Sequence, residues 1–112
     1  MNDRYSALVQ RLVDAVLTSP GDTDSYIRRA VEARAAALGG RPVETTGELP
    51  AVVESYVDKV ARHAYKVTDD DLTMLRQAGY SADAIFEITV STALGASMSR
   101  LERGLAIVRG GR

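Results

Sequence analysis

Residues 68–108 read TDDDLTMLRQAGYSADAIFEITVSTALGASMSRLERGLAIV, and this stretch decides the fold class. Thr68 followed by Asp69, Asp70 and Asp71 is a helix start. The hydroxyl can accept from the Asp71 N–H, and the acids complement the positive end of the helix dipole. Leu72, Leu75 and Ala78 then recur at helical spacing and are expected to point inward. Gly79 is a left-handed stop. Ser81 is the next cap, and a helix can run from Ala82 to about Val108, with Gly95 and Gly104 as its weak points. Ile85, Phe86, Ile88, Val90, Ala93, Leu94, Met98, Leu101, Leu105 and Val108 cover more than one stripe of that helix. A helix apolar on more than one side needs more than one packing partner, and in a domain this small a second chain is the expected one.

Upstream, the pattern is helical throughout. Tyr5, Leu8, Val9, Leu12, Val13 and Val16 form one face of a helix over residues 3–17, which Ser19-Pro20-Gly21-Asp22 stops. Asp22 or Thr23 caps a second helix reaching Leu38, with Ile27, Ala30, Val31 and Leu38 on one side and Arg28, Arg29, Glu32 and Arg34 mostly elsewhere. Ala35-Ala36-Ala37 favours helix strongly, and Gly39-Gly40 ends it. Residues 41–48 are expected to be a flexible connection. A third helix opens at Leu49-Pro50, where a missing N–H costs nothing. It buries Val53, Tyr56, Val57, Val60 and Ala64 and wets Glu54, Asp58, Lys59, Arg62 and Lys66. No alternating run with turn dipeptides suggests a strand. The expectation is one all-α domain over residues 1–112: an N-terminal hairpin (1–40), the connection, and a three-helix unit (49–112).

Composition narrows the function. The chain has 112 residues, 46% hydrophobic and 26% charged, with a net charge of −1. That balance argues against a nucleic-acid or membrane-surface binder. There is no cysteine, which removes disulfides, thiolate metal sites and any cysteine nucleophile. One histidine rules out a multi-histidine site within one chain. Without an apolar run of about 20 residues, or a signal-type apolar segment after Met1-Asn2-Asp3-Arg4, the expected setting is the cytoplasm. Asp69, Asp70 and Asp71 read as capping residues, because consecutive acids at a helix start splay apart and no calcium-loop glycine surrounds them. No metal or other cofactor is expected.

Residues 56–105 resemble the all-helical carboxymuconolactone decarboxylase superfamily, which includes the alkylhydroperoxidase-D-like proteins. The matching pieces are Leu75-Arg76-Gln77-Ala78-Gly79, Tyr80-Ser81-Ala82-Asp83-Ala84-Ile85, and the small-residue-rich last helix ending near Arg100-Leu101. The resemblance covers roughly the last half of the chain and implies an alkylhydroperoxidase-D-like bundle assembled as a trimer or hexamer; a dimer is open as the commonest symmetric state. The family's peroxidase branch carries Cys-x-x-Cys and a following histidine. Counted back from Gly79, the cysteines would fall at Ala64 and Val67, the histidine near Asp70 or Asp71, and an upstream glutamate near Val52, with Glu54 close but out of step. The redox residues are therefore absent, and a peroxidase needs a thiolate.

The resemblance thus implies a redox-inactive relative: a small oligomeric binding protein, or a non-thiol enzyme acting on a small acidic molecule. Such chemistry needs a cation and a positioned acid or base. The candidate catalytic residues are Glu54, His63 and Tyr65, with Arg62 and Lys66 as candidate substrate-binding cations. Each has a plainer structural reading. His63 is the single imidazole, the side-chain type that titrates nearest neutral pH, yet it also fits an exposed helix end. Glu54, Asp58 and Arg62 step by four, so Asp58 and Arg62 can form a helical ion pair on a solvated face. Tyr56 is expected in the core with its hydroxyl satisfied at an edge. Tyr65 lies nearly opposite and, falling in the family's Cys-x-x-Cys window, is the better candidate to line a pocket. The alternative function is an interaction subunit partnering itself or a paralogue.

Overall fold

The computed structural model describes residues 3–41 and 48–110, with side chains in the first helix from Ala7 onward. Five α-helices are present among them: α1 (Asp3–Thr18), α2 (Ser25–Leu38), α3 (Ala51–His63), α4 (Asp69–Gln77) and α5 (Ala82–Val108), with a single 3₁₀ turn (Ala64–Lys66) after α3. The described residues form no strand, so the all-α expectation holds. The expected connection at residues 41–48 lies mostly outside the described residues, as do the side chain of Tyr5 and the last two residues of the expected tail.

The caps read from the sequence are in place. Thr68 accepts from the Asp71 N–H while the Asp71 carboxylate accepts from the Thr68 N–H at 2.9 Å, a reciprocal capping box. The Ser81 hydroxyl accepts from the Ala84 N–H at 3.0 Å. Gly79 stops α4 at φ +101°, and the Tyr80 N–H closes the turn on the Leu75 carbonyl at 3.1 Å.

α2 and α5 pack along each other at the centre of the bundle, and α3 lies against both. The core joins Val31 and Ala35 of α2, Val53, Tyr56, Val57 and Ala61 of α3, Leu75 of α4, and Ile85, Ile88 and Ala96 of α5. Small residues let α2 and α5 approach closely. Ala35 and Ala36 of α2 and Gly95, Ala96 and Ser99 of α5 are all buried. A Cβ on Gly95 would run into the Glu32 carbonyl oxygen and lie 3.1 Å from the Ala35 Cβ. That close approach is why Gly95 sits inside α5, which remains helical through both Gly95 and Gly104.

Several expectations are corrected. The N-cap of α2 is Asp24 rather than Asp22 or Thr23; the side chains of those two turn away from α2, the Asp22 carboxylate accepting from the Ser81 hydroxyl at 2.7 Å and the Thr23 hydroxyl donating to the Glu87 carboxylate of α5 at 2.6 Å. Pro50 is the N-cap of α3 and not its first helical residue. The buried stripe of α3 ends on Ala61, while Ala64 is exposed in the 3₁₀ turn, and Ala78 is exposed beyond α4. Arg28 and Glu32, expected off the buried side of α2, are buried. Arg28 is tolerated there because its guanidinium donates to the carbonyls of Val16, at 2.8 Å, and of Ser19. It thereby supplies the positive charge favoured at a helix C-terminus, which α1 lacks in its own last turn. Glu32 is matched by Arg41 at 2.8 Å. α1 uses only part of its apolar face. Leu17 is buried and Val9, Val13 and Val16 are half-buried, but Leu8 and Leu12 are exposed.

Candidate functional site

Around the end of α3, the helix hands over to the 3₁₀ turn at His63, whose backbone (φ −146°, ψ 59°) is no longer helical. This swings Arg62, His63, Tyr65 and Lys66 onto the surface. Tyr65 is 81% exposed. Its ring meets that of His63 edge-on, with centroids 5.9 Å apart and planes at 77°, and the Lys66 Nζ lies 5.9 Å from the Tyr65 centroid. At that distance and exposure the cation–π attraction is worth about 0.5–1 kcal/mol. The structure therefore brings His63, Tyr65 and Lys66 into one exposed cluster with Arg62 beside it.

Glu54 is not part of that cluster. It lies nine residues earlier on α3, about 13 Å along the helix axis. Its carboxylate is 3.4 Å from Arg34 of α2. Arg34 is held mainly by Asp58, to which it donates twice, at 2.6 and 2.8 Å. That fork draws Asp58 to α2 rather than to Arg62, so the expected ion pair within α3 gives way to an inter-helix one. A planar guanidinium matches a carboxylate with two parallel bonds, which an i to i+4 pair on one helix seldom achieves. The Asp58 hydrogen bonds raise the Arg34 pKa further above its ordinary value and outweigh the opposing effect of burial.

A groove of about 320 Å³ runs between α3 and α4, lined by Ala51, Val52, Ser55, Tyr56, Lys59, Asp71 and Met74. Its walls are chiefly apolar and it holds one ion pair, Lys59 to Asp71 at 2.9 Å. Lys59 and the Thr68 N–H both donate to the Asp71 carboxylate, and these bonds hold that carboxyl below its ordinary range. The Tyr56 hydroxyl is 2.7 Å from Thr89 Oγ1. Because Thr89 already donates to the Ile85 carbonyl at 2.7 Å, Tyr56 is the donor. Tyr56 is thus buried, with its hydroxyl satisfied on half-buried Thr89 at the edge, as expected. Lys59 and Asp71 were legible only as a wet helix face and a cap. Their pairing joins two helices, and no local spacing encodes it.

The water-facing side of α5 is a further feature, one the site residues do not include. Its packed face carries Ala84, Ile85, Ile88, Ser91, Thr92, Gly95, Ala96 and Ser99. On the opposite side stand Phe86, Val90, Ala93, Ser97, Leu101, Gly104 and Val108, all exposed, with Leu94 and Leu105 half-buried along one edge. Phe86, Leu101 and Val108 are 58%, 41% and 82% exposed. The two-sided apolar pattern read in the sequence is thus divided between a core face and a free one.

No family model, curated protein or solved structure matches this chain. Among the described residues no helix is long and apolar enough to cross a membrane, and no group of three or more potential ligands is placed to hold a metal ion.

Proposed function

We propose that this chain is a cytoplasmic, all-helical interaction subunit that assembles with a second copy of itself through the water-facing side of α5. One observation carries the reading: the outer face of α5 is an exposed apolar stripe from Phe86 to Val108 with no charged residue along its centre. Apolar residues scattered singly on a surface need no explanation, but a contiguous stripe marks a docking surface. Magnitudes set the strength of the association. Four large side chains per copy, Phe86, Val90, Leu101 and Val108, would leave water. Fully burying such a side chain stabilises by about 1.5–3 kcal/mol, and these are already part-buried, so roughly 1 kcal/mol each is the fair figure. Two copies then gain roughly 8 kcal/mol against an association cost of about 4–15 kcal/mol. The balance is near zero, so the assembly is reversible and concentration-dependent. Light scattering on the eluting wild-type chain tests it. A mass rising toward a multiple of the 12.0 kDa chain at high concentration supports the reading; a single-chain mass at every concentration refutes it.

A second reading has one observation in its favour. Val52, near which the resemblance puts the relay glutamate, and Asp71, one of the two positions (Asp70 or Asp71) near which it puts the histidine, line the same groove between α3 and α4. On this reading the chain is a redox-inactive relative that holds a small molecule there. The Lys59 charge is already matched by Asp71, so an acidic ligand must displace that carboxylate, which weakens this reading relative to the first. Titrating small dicarboxylic acids while following the Ser55 and Met74 NMR signals is the test. Saturable shifts confined to the groove support it, and unmoved signals exclude an acidic ligand.

A further inference from the structure

We infer that the second copy docks antiparallel, about a two-fold axis passing beside Ser97; this rests on the self-association of α5 put forward above. The small and apolar exposed positions along the centre of the outer face are Phe86, Val90, Ala93, Ser97, Leu101, Gly104 and Val108, with exposed Arg100 at its edge. Counted outward from Ser97, they step by four, three and four residues in both directions. A stripe with mirror-symmetric spacing is self-complementary when its copy is turned end for end, which is the requirement of an isologous interface.

Side-chain size follows the same symmetry. With Ser97 opposite its own copy, Leu101 meets Ala93 and Val90 meets Gly104, each large residue against a small one. Phe86 meets Val108 at either end. Those two are the most exposed large apolar side chains on this face, and Val108 stands on the last turns of α5, where residues 100–110 are nearly all exposed. In a parallel arrangement Leu101 would meet Leu101 and Ala93 would meet Ala93, so bulky rungs would alternate with gaps, at odds with the even packing interfaces share with protein interiors.

Charge selects the same orientation. α5 begins with exposed Asp83 and is followed by exposed Arg109. Parallel docking sets like charges and like dipole ends side by side. Antiparallel docking brings Asp83 within about 3 Å of axial rise of the other copy's Arg109 at both ends, and opposes the helix dipoles favourably. The stripe is one helix wide and about 33 Å long, smaller than a standard interface, consistent with a reversible dimer.

The chain has no cysteine of its own, so introduced thiols report docking cleanly. Phe86→Cys and Val108→Cys are prepared as separate full-length variants and oxidised alone and mixed. Disulfides forming mainly in the mixture, between one chain of each kind, support the antiparallel register. Disulfides forming within each variant alone show parallel docking and overturn the inference while leaving self-association standing. A wild-type chain that dimerises while neither mixture nor single variant cross-links also overturns it. A chain that is monomeric throughout refutes the underlying reading, and the inference with it. A charge cycle gives a second measure. Asp83→Arg and Arg109→Asp should each weaken dimerisation severalfold, and combining them should restore it; failure of the double variant to recover contradicts the register.

Discussion

Thr23 is tied twice to the Glu87 carboxylate oxygen Oε1, by its backbone N–H at 2.8 Å and its hydroxyl at 2.6 Å. With the Asp22 N–H on the other oxygen, this one side chain of α5 fixes the turn between α1 and α2. Partial burial pushes the Glu87 carboxyl up. The hydrogen bonds from Thr23 and Asp22 and the charge of Arg28 outweigh that and hold it below its ordinary value of 4.5. A depressed carboxyl contributes stability that is fully present above the unfolded-state pKa and is lost as pH falls through the lower folded value. Urea unfolding between neutral pH and about pH 3 should therefore show Glu87→Gln less stable than wild type at neutral pH, with the difference shrinking in acid. A pH-independent difference would contradict the assignment.

Arg28 is the counterpart of that carboxylate on the other side of the turn. Hydrogen bonds to a charged group contribute about 1.5–3 kcal/mol each, and Arg28 makes two short ones to the end of α1. Arg28→Met is expected to cost about 3 kcal/mol, and hydrogen exchange of the variant should quicken in α1 before α2. Equal acceleration in both helices would mean that Arg28 does not anchor α1.

At Gly95 the backbones of α2 and α5 leave no room for a side chain. Gly95→Ala gains helix propensity of about 1 kcal/mol but forces the helices apart, and overpacking of this kind costs about 1–3 kcal/mol. A lower midpoint in urea is the expected outcome. A stabilised variant would show that the helices separate freely.

Tyr56→Phe removes the donor that Thr89 accepts from while leaving the Thr89 bond to the Ile85 carbonyl intact. The predicted loss is about 0.5–1.5 kcal/mol by thermal unfolding. A neutral change would indicate that the hydroxyl is as well served by water.

Features set by neighbours in the sequence were legible in it: the Thr68 and Ser81 caps, the Gly79 stop, the core placement of Tyr56 and the two-sided apolar character of α5. Those set by distant partners were not. Glu87 reaches back 64 residues to Thr23, and Asp58 turns to Arg34 24 residues away. Arg28 and Glu32 read as polar surface because helical periodicity cannot show that carbonyls and Arg41 await them inside. His63, Tyr65 and Lys66 cluster because they are near neighbours along the chain. The groove between α3 and α4 unites Val52 with Asp71, and only tertiary packing brings that pair together.

The proposed role of α5 as a docking surface is tested most directly by sedimentation velocity on the wild-type chain and Leu101→Glu across a wide concentration range. Leu101 is 41% exposed, so the substitution leaves the core intact, as an unchanged helical circular-dichroism spectrum would confirm. The wild type should sediment faster as concentration rises while the variant remains a single chain. Identical, concentration-independent single-chain boundaries for both would contradict the account.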